Sequence, residues 1–246
     1  DIGAKAEPDG HTLLLMSNGT AVSAGLFKSL PFDTLRDFAP ISTLGYFDIA
    51  IVTAAESRFK TLGDVLSYAR ANPGKLNVGT INIGSTQNLA AELFKSTAGL
   101  DFQIVPFNGT PAVITALRGG QIDLAVEILA PVMPQITAKA VRALAVTGDQ
   151  RTQVMPDLPT AKESGVAGYS AASWNGLAAP AKTPKAVIAR LNKEVQAALS
   201  APDVKKKLHD LSVTAQAATP EQTSELLASE IKRWGDVIVR AKVPLQ

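Results

Sequence analysis

Short apolar runs in this chain alternate with longer stretches in which apolar residues recur every three or four positions. The runs lie at residues 12–16, 48–53, 76–80, 103–107, 121–126 and 141–147, and each predicts a buried strand. The stretches with helical spacing begin near residues 61, 88, 112, 185 and 220. Because short strands alternate with long helices, the pattern predicts βαβ units with a parallel sheet, and the fold class is α/β.

Several predicted helices carry start and stop signals. Thr61 and Asp64 have the spacing of a capping box, and that helix should end at residues 72–74, which read Asn-Pro-Gly. Thr219 and Gln222 repeat the capping-box spacing, and Pro184 and Pro220 stand at first helical positions. The sequence therefore predicts two long amphipathic helices in its last part.

Composition places the chain among globular proteins of one or two domains. It has 246 residues, of which 46% are hydrophobic, and no apolar run approaches the length of a membrane helix. Its 24 Lys and Arg residues nearly balance 22 Asp and Glu residues, and these charges are scattered. We therefore expect neither a nucleic-acid partner nor insertion into a membrane.

The sequence offers little catalytic machinery. It has no cysteine, which excludes thiol catalysis, zinc–thiolate sites and iron–sulfur clusters, and which suits an exported chain. Residues 21–25 only approach the nucleophile-elbow pattern, and the two histidines, His11 and His209, are far apart. No nucleotide-binding glycine pattern occurs. We expect no enzyme activity, no cofactor and no metal.

Three polar, uncharged turns follow predicted strands. They are residues 17–20 (Ser-Asn-Gly-Thr), 84–87 (Gly-Ser-Thr-Gln) and 108–110 (Asn-Gly-Thr). Helix starts at the carboxyl ends of parallel strands present free N–H groups and partial positive charge, which suits an anion. These residues also serve as ordinary helix caps elsewhere, so the turns alone leave both interpretations open.

Longer motifs give the chain a resemblance to a known family. The stretches PDGHTLLLMSN, LPFDTLRDFAPIS, LGDVLSYARANPGKLNVG, GSTQNLAAELFKSTAG, LRGGQIDLA, VRALAVTGDQR, PDLPTAKESGVAG and WNGLAAPAKTP stand in this order over nearly the whole chain. In these stretches the chain resembles the tripartite tricarboxylate transporter substrate-binding proteins, the Bug family of periplasmic receptors.

The resemblance implies a two-lobed periplasmic binding protein of the second structural class, each lobe a mostly parallel sheet flanked by helices. Residues 1–53 and 174–246 would form lobe one and residues 54–173 lobe two. A small carboxylate would bind in the cleft between the lobes and be delivered to the membrane components of the transporter. The resemblance also implies a periplasmic location and no chemistry on the ligand.

The resemblance also points to the positions that bind the ligand. Glu127 stands at an acidic cleft-edge position where the family more often has Asp, and Trp174 is either a core residue or a cleft wall. The implied ligand-binding residues are Ser17, Asn18, Gly84, Ser85, Thr86, Gln87, Asn108, Gly109, Thr110, Glu127 and Trp174.

The chain departs from the family pattern at three places. Asn108 replaces a basic residue, Lys139 replaces a glycine, and the Gly-rich loop after the family's first strand has no counterpart. We expect a further segment upstream of Asp1, because an absent interior strand would leave backbone groups unpaired. Without that segment, we expect the ligand site of lobe one to be incomplete.

Two other functions remain open on the same fold. An enzyme would need an acid–base residue within hydrogen-bond reach of a nucleophile in the cleft. A ligand-sensing module of a regulator would be fused to an effector domain. The sequence favours the receptor over both.

Overall fold

The chain forms one unit from its two ends and a second unit from its middle. In the computed structural model, which describes residues 1–246, unit 1 comprises residues 1–46 and 173–246 and unit 2 comprises residues 47–172. Strand β2 (Phe38–Ala54) runs on from unit 1 into unit 2. The sequence-based boundary at residue 53 falls near the end of this strand, whereas the units divide after Tyr46.

Unit 2 has a parallel core of three strands. Strand β3 (Asn77–Ile81) pairs in parallel with β4 (Gln103–Phe107) on one side and β5 (Leu124–Ile128) on the other. The connections are the helices α3 (Thr86–Ala98) and α4 (Thr110–Arg118). Because the strands are parallel, both helices begin at the same edge of the sheet.

Other elements complete unit 2. The second half of β2 pairs antiparallel with β5 and with β6 (Val141–Val146), and it places Ala50 opposite Glu127. Helices α2 (Leu62–Ala71) and α5 (Leu129–Thr137) belong to the same unit. One cluster of its core is aliphatic and includes the fully buried Val113 and Leu117. A second group is aromatic, and consists of the buried side chains of Phe94, Phe102 and Tyr169.

Unit 1 combines short strands with long helices. Strand β1 (Leu14–Ser17) pairs antiparallel with β7 (Ala172–Pro180), and β8 (Val213–Ala215) pairs with β2. The helices are α1 (Asn18–Leu26), α6 (Lys185–Ser200), α7 (Pro202–Asp210) and α8 (Pro220–Arg240). Helices α1 and α8 pack closely, since a Cβ on Gly25 would lie 3.3 Å from Gly235 Cα.

The α/β class is confirmed, and the sheet is mixed. The prediction of mostly parallel strands describes β3, β4 and β5, whereas β1 and β7 are antiparallel. Strand β2 is longer than the predicted run at residues 48–53, and the chain holds two helices that we did not predict, α1 and α5. None of the helices combines the length and the apolar character needed to cross a bilayer.

Candidate functional site

The predicted turns of unit 2 lie at one edge of its sheet. Residues 84–87 follow β3 and lead into α3, and residues 108–110 follow β4 and lead into α4. Strands β3 and β4 are paired in register, with Ile81 opposite Phe107, so both turns leave the sheet at the same level. The two turns are therefore neighbours, although more than twenty positions separate them in the sequence.

The first turn is built by a hydrogen-bond network around the start of α3. Ser85 Oγ accepts from the Asn88 N–H at 3.1 Å and donates to the Ile81 carbonyl at 3.2 Å. Gly84 has a φ of +77°, which favours glycine, and its N–H donates to Asn88 Oδ1 at 3.0 Å. The Asn88 amide also donates to Thr80 Oγ1 at 3.2 Å. Thr80 and Asn88 thus shape the turn, and the sequence analysis did not single them out.

The second turn, residues 108–110, leads into α4 without the side-chain cap that Ser85 gives to α3. Gly109 has a φ of +90° and stands at the cap position of α4, which has no side-chain cap. Pro111 occupies the first turn of the helix, as proline often does. Gly109 N–H donates to the Phe107 carbonyl at 3.1 Å, Pro111 has no N–H, and Ala112 N–H donates to the Gly109 carbonyl at 3.2 Å. The backbone donor that this helix start can offer to an anion is therefore the Thr110 N–H.

Glu127 joins the two helix starts. Thr110 Oγ1 donates to Glu127 Oε2 at 2.9 Å, and Gln87 Nε2 approaches the same oxygen at 3.5 Å. Glu127 lies on β5 and is 0% exposed, so the family's acidic position is interior here rather than at an exposed edge. The structure thus brings Gln87, Thr110 and Glu127 together.

The burial of Glu127 changes its acidity. Removal from water raises the pKa of this carboxyl from 4.5 to about 7, although hydrogen bonds from Thr110, Gln87 and the Ile128 backbone oppose the shift. Its second oxygen, Oε1, is buried and has no hydrogen-bond partner. A buried carboxylate with one unpaired oxygen is costly, so the neutral acid is favoured up to about neutral pH.

In unit 1, the predicted residues Ser17 and Asn18 start α1. Ser17 forms a capping box with Thr20, whose hydroxyl oxygen accepts from the Ser17 N–H at 3.1 Å. Asn18 is fully buried, and its Oδ1 accepts from Trp234 Nε1 at 2.8 Å. Trp234 Nε1 is also 2.7 Å from Glu230 Oε2. The Asn18 side chain therefore contributes to the α1–α8 packing.

Trp174 lies on β7 in the interior of unit 1. It is 1% exposed, and its indole nitrogen is buried without an acceptor. The sequence left open whether Trp174 is a core residue or a cleft wall, and its burial favours the core. Its indole N–H is nevertheless a buried donor without an acceptor in the protein.

A different depression of unit 2 lies away from these residues. A cavity of about 840 Å³ is lined by the start of α2, by β6 and by residues 155–165, and none of the predicted site residues lines it. No group of three or more His, Asp or Glu side chains is placed to hold a metal ion.

An α/β chain in two units, with polar helix starts gathered at one sheet edge, has the architecture of a solute-binding protein. The chain belongs to the family described as "Tripartite tricarboxylate transporter family receptor", whose sequence model matches residues 2–243. This is a family of receptors, and the protein is a receptor rather than an enzyme.

Curated relatives support this assignment over almost the whole chain. The chain is 34% identical to "UPF0065 protein in tcbD-tcbE intergenic region" of Pseudomonas sp. (strain P51), covering 99% of this chain and 73% of the relative. It is 30% identical to "Protein BugT" of Bordetella pertussis, covering 97% of this chain and 74% of the relative.

Solved structures share the fold, and two of them carry a ligand. "R. palustris Rpa4515 with adipate" has a TM-score of 0.84 at 30% identity and covers 98% of this chain and 81% of its own. "MatC (Rpa3494) from Rhodopseudomonas palustris with bound malate" has a TM-score of 0.77 at 33% identity and covers 96% and 82%. "Structure of periplasmic binding protein BugD" has a TM-score of 0.81 at 28% identity and covers 100% and 83%.

Proposed function

We propose that this receptor works in the periplasm, binds a small dicarboxylate such as adipate or malate, and delivers it to the membrane components of a tripartite tricarboxylate transporter. The observation that carries the proposal is the convergence of two helix starts at one edge of unit 2, where Gln87 of α3 and Thr110 of α4 contact the same carboxyl group.

The chemistry of this edge suits a carboxylate. The starts of α3 and α4 carry partial positive charge, although the Asn88 N–H is taken by Ser85 Oγ and the Ala112 N–H by the Gly109 carbonyl. The loops before the two helices, residues 82–87 and 108–110, contain Ser, Thr, Asn and Gln but no Lys or Arg. An anion is therefore held by backbone and neutral side-chain donors, and binding needs neither a metal nor a nucleotide.

The dicarboxylate class rests on the neighbours and on one apolar side chain. Adipate and malate, the ligands named for two structural relatives, both have two carboxylates on a short carbon chain. Ile83, in the loop that leads into α3, is 47% exposed beside the polar residues. We propose that Ile83 contacts the carbon chain of the ligand while the helix starts bind one carboxylate.

A thermal-shift screen of the full-length protein tests the proposal. The screen includes dicarboxylates, tricarboxylates, monocarboxylates, amino acids, aromatic acids and neutral sugars. At a hundredfold excess over Kd a true ligand should raise Tm by roughly 5–10 °C. We expect dicarboxylates to give the largest shift. Stabilisation by neutral sugars alone would contradict the proposal.

A further inference from the structure

Glu127 puts a titratable group where the proposed ligand needs positive potential. Its carboxyl group receives hydrogen bonds from the starts of both α3 and α4, and its buried Oε1 has no partner. If Glu127 were ionised, its negative charge would offset the positive potential of these helix starts and would repel a ligand carboxylate. A neutral Glu127 removes this competition.

The surrounding elements bring no cation to Glu127. Strands β3 and β4 and helix α5 contain no titratable side chain, and β6 contributes only Arg142. Helix α3 carries Glu92 and Lys95, and the Lys95 ammonium is held by the Phe102 carbonyl at 2.7 Å. In α4 the only charged residue is Arg118, in the last turn.

Strand β2 contributes a further acid. Asp48 precedes Ala50, the cross-strand partner of Glu127, by two positions, and it lies on the same face of β2. Burial raises the pKa of Asp48 as well. No charged group contributes to the pKa shift of Glu127 itself, which is dominated by burial.

We propose that Glu127 takes up a proton when the receptor binds its carboxylate, so that the anion and one proton enter the bound state together. This inference rests on the proposed function and specifies how its site is regulated. The proton comes from solvent and is held on the Glu127 carboxyl group. Glu127 acts as a positioning residue, because this group fixes the side chains of Gln87 and Thr110. No bond of the ligand changes.

The direction of the pH dependence follows from this linkage. In the free protein the pKa of Glu127 is about 7, and a bound anion nearby raises that pKa further. Below that pH the site is already neutral, so affinity is constant. Above it, only the neutral fraction binds well, and affinity falls by up to about tenfold per pH unit until the pKa of the complex is reached.

The Glu127→Gln variant separates charge from shape. Glutamine keeps a carbonyl oxygen to accept from Thr110 and cannot ionise. We expect the affinity of this variant to be independent of pH and, at alkaline pH, to exceed that of the wild type. Glu92→Gln and Asp48→Asn remove the other two half-buried acids of the neighbouring elements and should keep the wild-type pH dependence.

Titration calorimetry with adipate and with malate is the test, using the full-length protein. Between about pH 6.5 and about pH 8.5 we expect wild-type affinity to fall by roughly ten- to thirtyfold, whereas the Glu127→Gln variant shows no fall. Repeating the alkaline titration in two buffers of different ionisation enthalpy should show proton uptake by the wild type and none by the variant.

The outcomes distinguish this inference from the proposed function. Wild-type binding that is independent of pH, or a variant with the wild-type slope, overturns the proton linkage alone. Affinity that rises with pH also overturns it, because ionisation of Glu127 would then favour binding of the dicarboxylate instead of opposing it. A wild-type protein that binds neither dicarboxylate at either pH contradicts the proposed function, and the inference fails with it.

The free protein provides a second readout. Because the pKa of Glu127 is about 7 in the folded state and near 4.5 when unfolded, the folded state binds more protons between these values. Stability is therefore lost as pH rises through this window. We expect the urea midpoint of the wild type to fall relative to Glu127→Gln between about pH 5 and about pH 7 and to stay level above it. A constant difference would contradict the raised pKa.

Discussion

Ser85 and Thr61 perform the same local task at the starts of two helices of unit 2. Each hydroxyl accepts from the N–H three residues on, at 3.1 Å for Asn88 and 3.2 Å for Asp64. Ser85 stands at the proposed ligand site, whereas Thr61 lines the separate cavity beside α2. Substituting each of these two residues therefore distinguishes the effect of a lost helix cap from the effect of a lost ligand contact.

We predict that Ser85→Ala and Thr61→Ala each lower the free energy of unfolding by about 1 kcal/mol, through the lost cap. Only Ser85→Ala should weaken carboxylate binding, by about ten- to hundredfold. The Ser85 hydroxyl proton would turn from the Ile81 carbonyl to the bound anion, and a hydrogen bond to a charged group is worth roughly 1.5–3 kcal/mol. Urea denaturation and titration calorimetry measure the two effects. Unchanged affinity in Ser85→Ala would show that Ser85 is only a cap.

The two tryptophans of the chain form a second matched pair. Trp234 Nε1 lies 2.8 Å from Asn18 Oδ1 and 2.7 Å from Glu230 Oε2, whereas Trp174 Nε1 has no acceptor, and both residues are buried. Replacement by phenylalanine removes similar aromatic volume at each position, and it deletes paired hydrogen bonds only at Trp234.

We predict that Trp234→Phe costs more stability than Trp174→Phe, by about 1–3 kcal/mol, because it leaves buried acceptors without their donor. The measurement is the difference in unfolding free energy between the two variants in urea. Equal losses would mean that the Trp234 hydrogen bonds contribute nothing net. A loss of ligand affinity in Trp174→Phe would assign the indole N–H to the ligand.

At the residue scale, the sequence could predict the composition of the site but not all of its contacts. Local turn signals mark residues 84–87 and 108–110, and a parallel sheet brings such turns together. The partner of Asn18 lies 216 positions away on α8, so no local pattern could reveal that bond. The burial of Glu127 likewise depends on the packing of β2 and β5. Ligand contact by these residues stays a prediction.

At the element scale, helices α1 and α8 of unit 1 approach closely through glycine. A Cβ on Gly25 would lie 3.3 Å from Gly235 Cα and 3.5 Å from Ile238 Cδ1, whereas a Cβ on Gly235 would have no atom within 4 Å. Backbone cannot yield as readily as the end of a side chain, so the contact constrains Gly25 far more than Gly235.

We predict that Gly235→Ala stabilises the protein by about 0.5–1 kcal/mol, because alanine is the better helix former and meets no obstacle. Gly25→Ala should instead lower stability, since moving α8 outweighs the same gain in helix propensity. Thermal and urea unfolding of the two variants checks both signs. A stabilising Gly25→Ala would show that the two helices separate without cost.

The elements that the sequence predicted are those with strong periodicity or clear boundary signals. Strand β4 occupies the predicted residues, and α2 and α8 begin after their predicted capping boxes. Helix α5 contains Pro134, which is unfavourable inside a helix, so its sequence did not mark it as one. The antiparallel pairing of β1 with β7 depends on strands more than 150 positions apart, which local patterns do not encode.

At the scale of the whole molecule, unit 2 is one continuous segment of the chain, whereas unit 1 combines two separate segments. The chain as a whole has the fold of its structural relatives. Unit 1 contains both ends of the chain, and unit 2 contains the edge where α3 and α4 begin. That the ligand lies in a cleft between two lobes stays a prediction, as does the transporter that receives it. The central claim is narrower, namely that a carboxylate binds at the start of α3 and α4.

The most direct test of that claim is an NMR titration of the backbone amides with adipate and malate. We predict that the amides of residues 84–87 and 109–110 shift first and saturate together, because a carboxylate bound at these two helix starts changes the electrostatic surroundings of their N–H groups. Control amides lie at residues 61–64, at the start of α2 beside the separate cavity. Saturable shifts confined to residues 61–64, with residues 84–87 and 109–110 unmoved, would contradict the account.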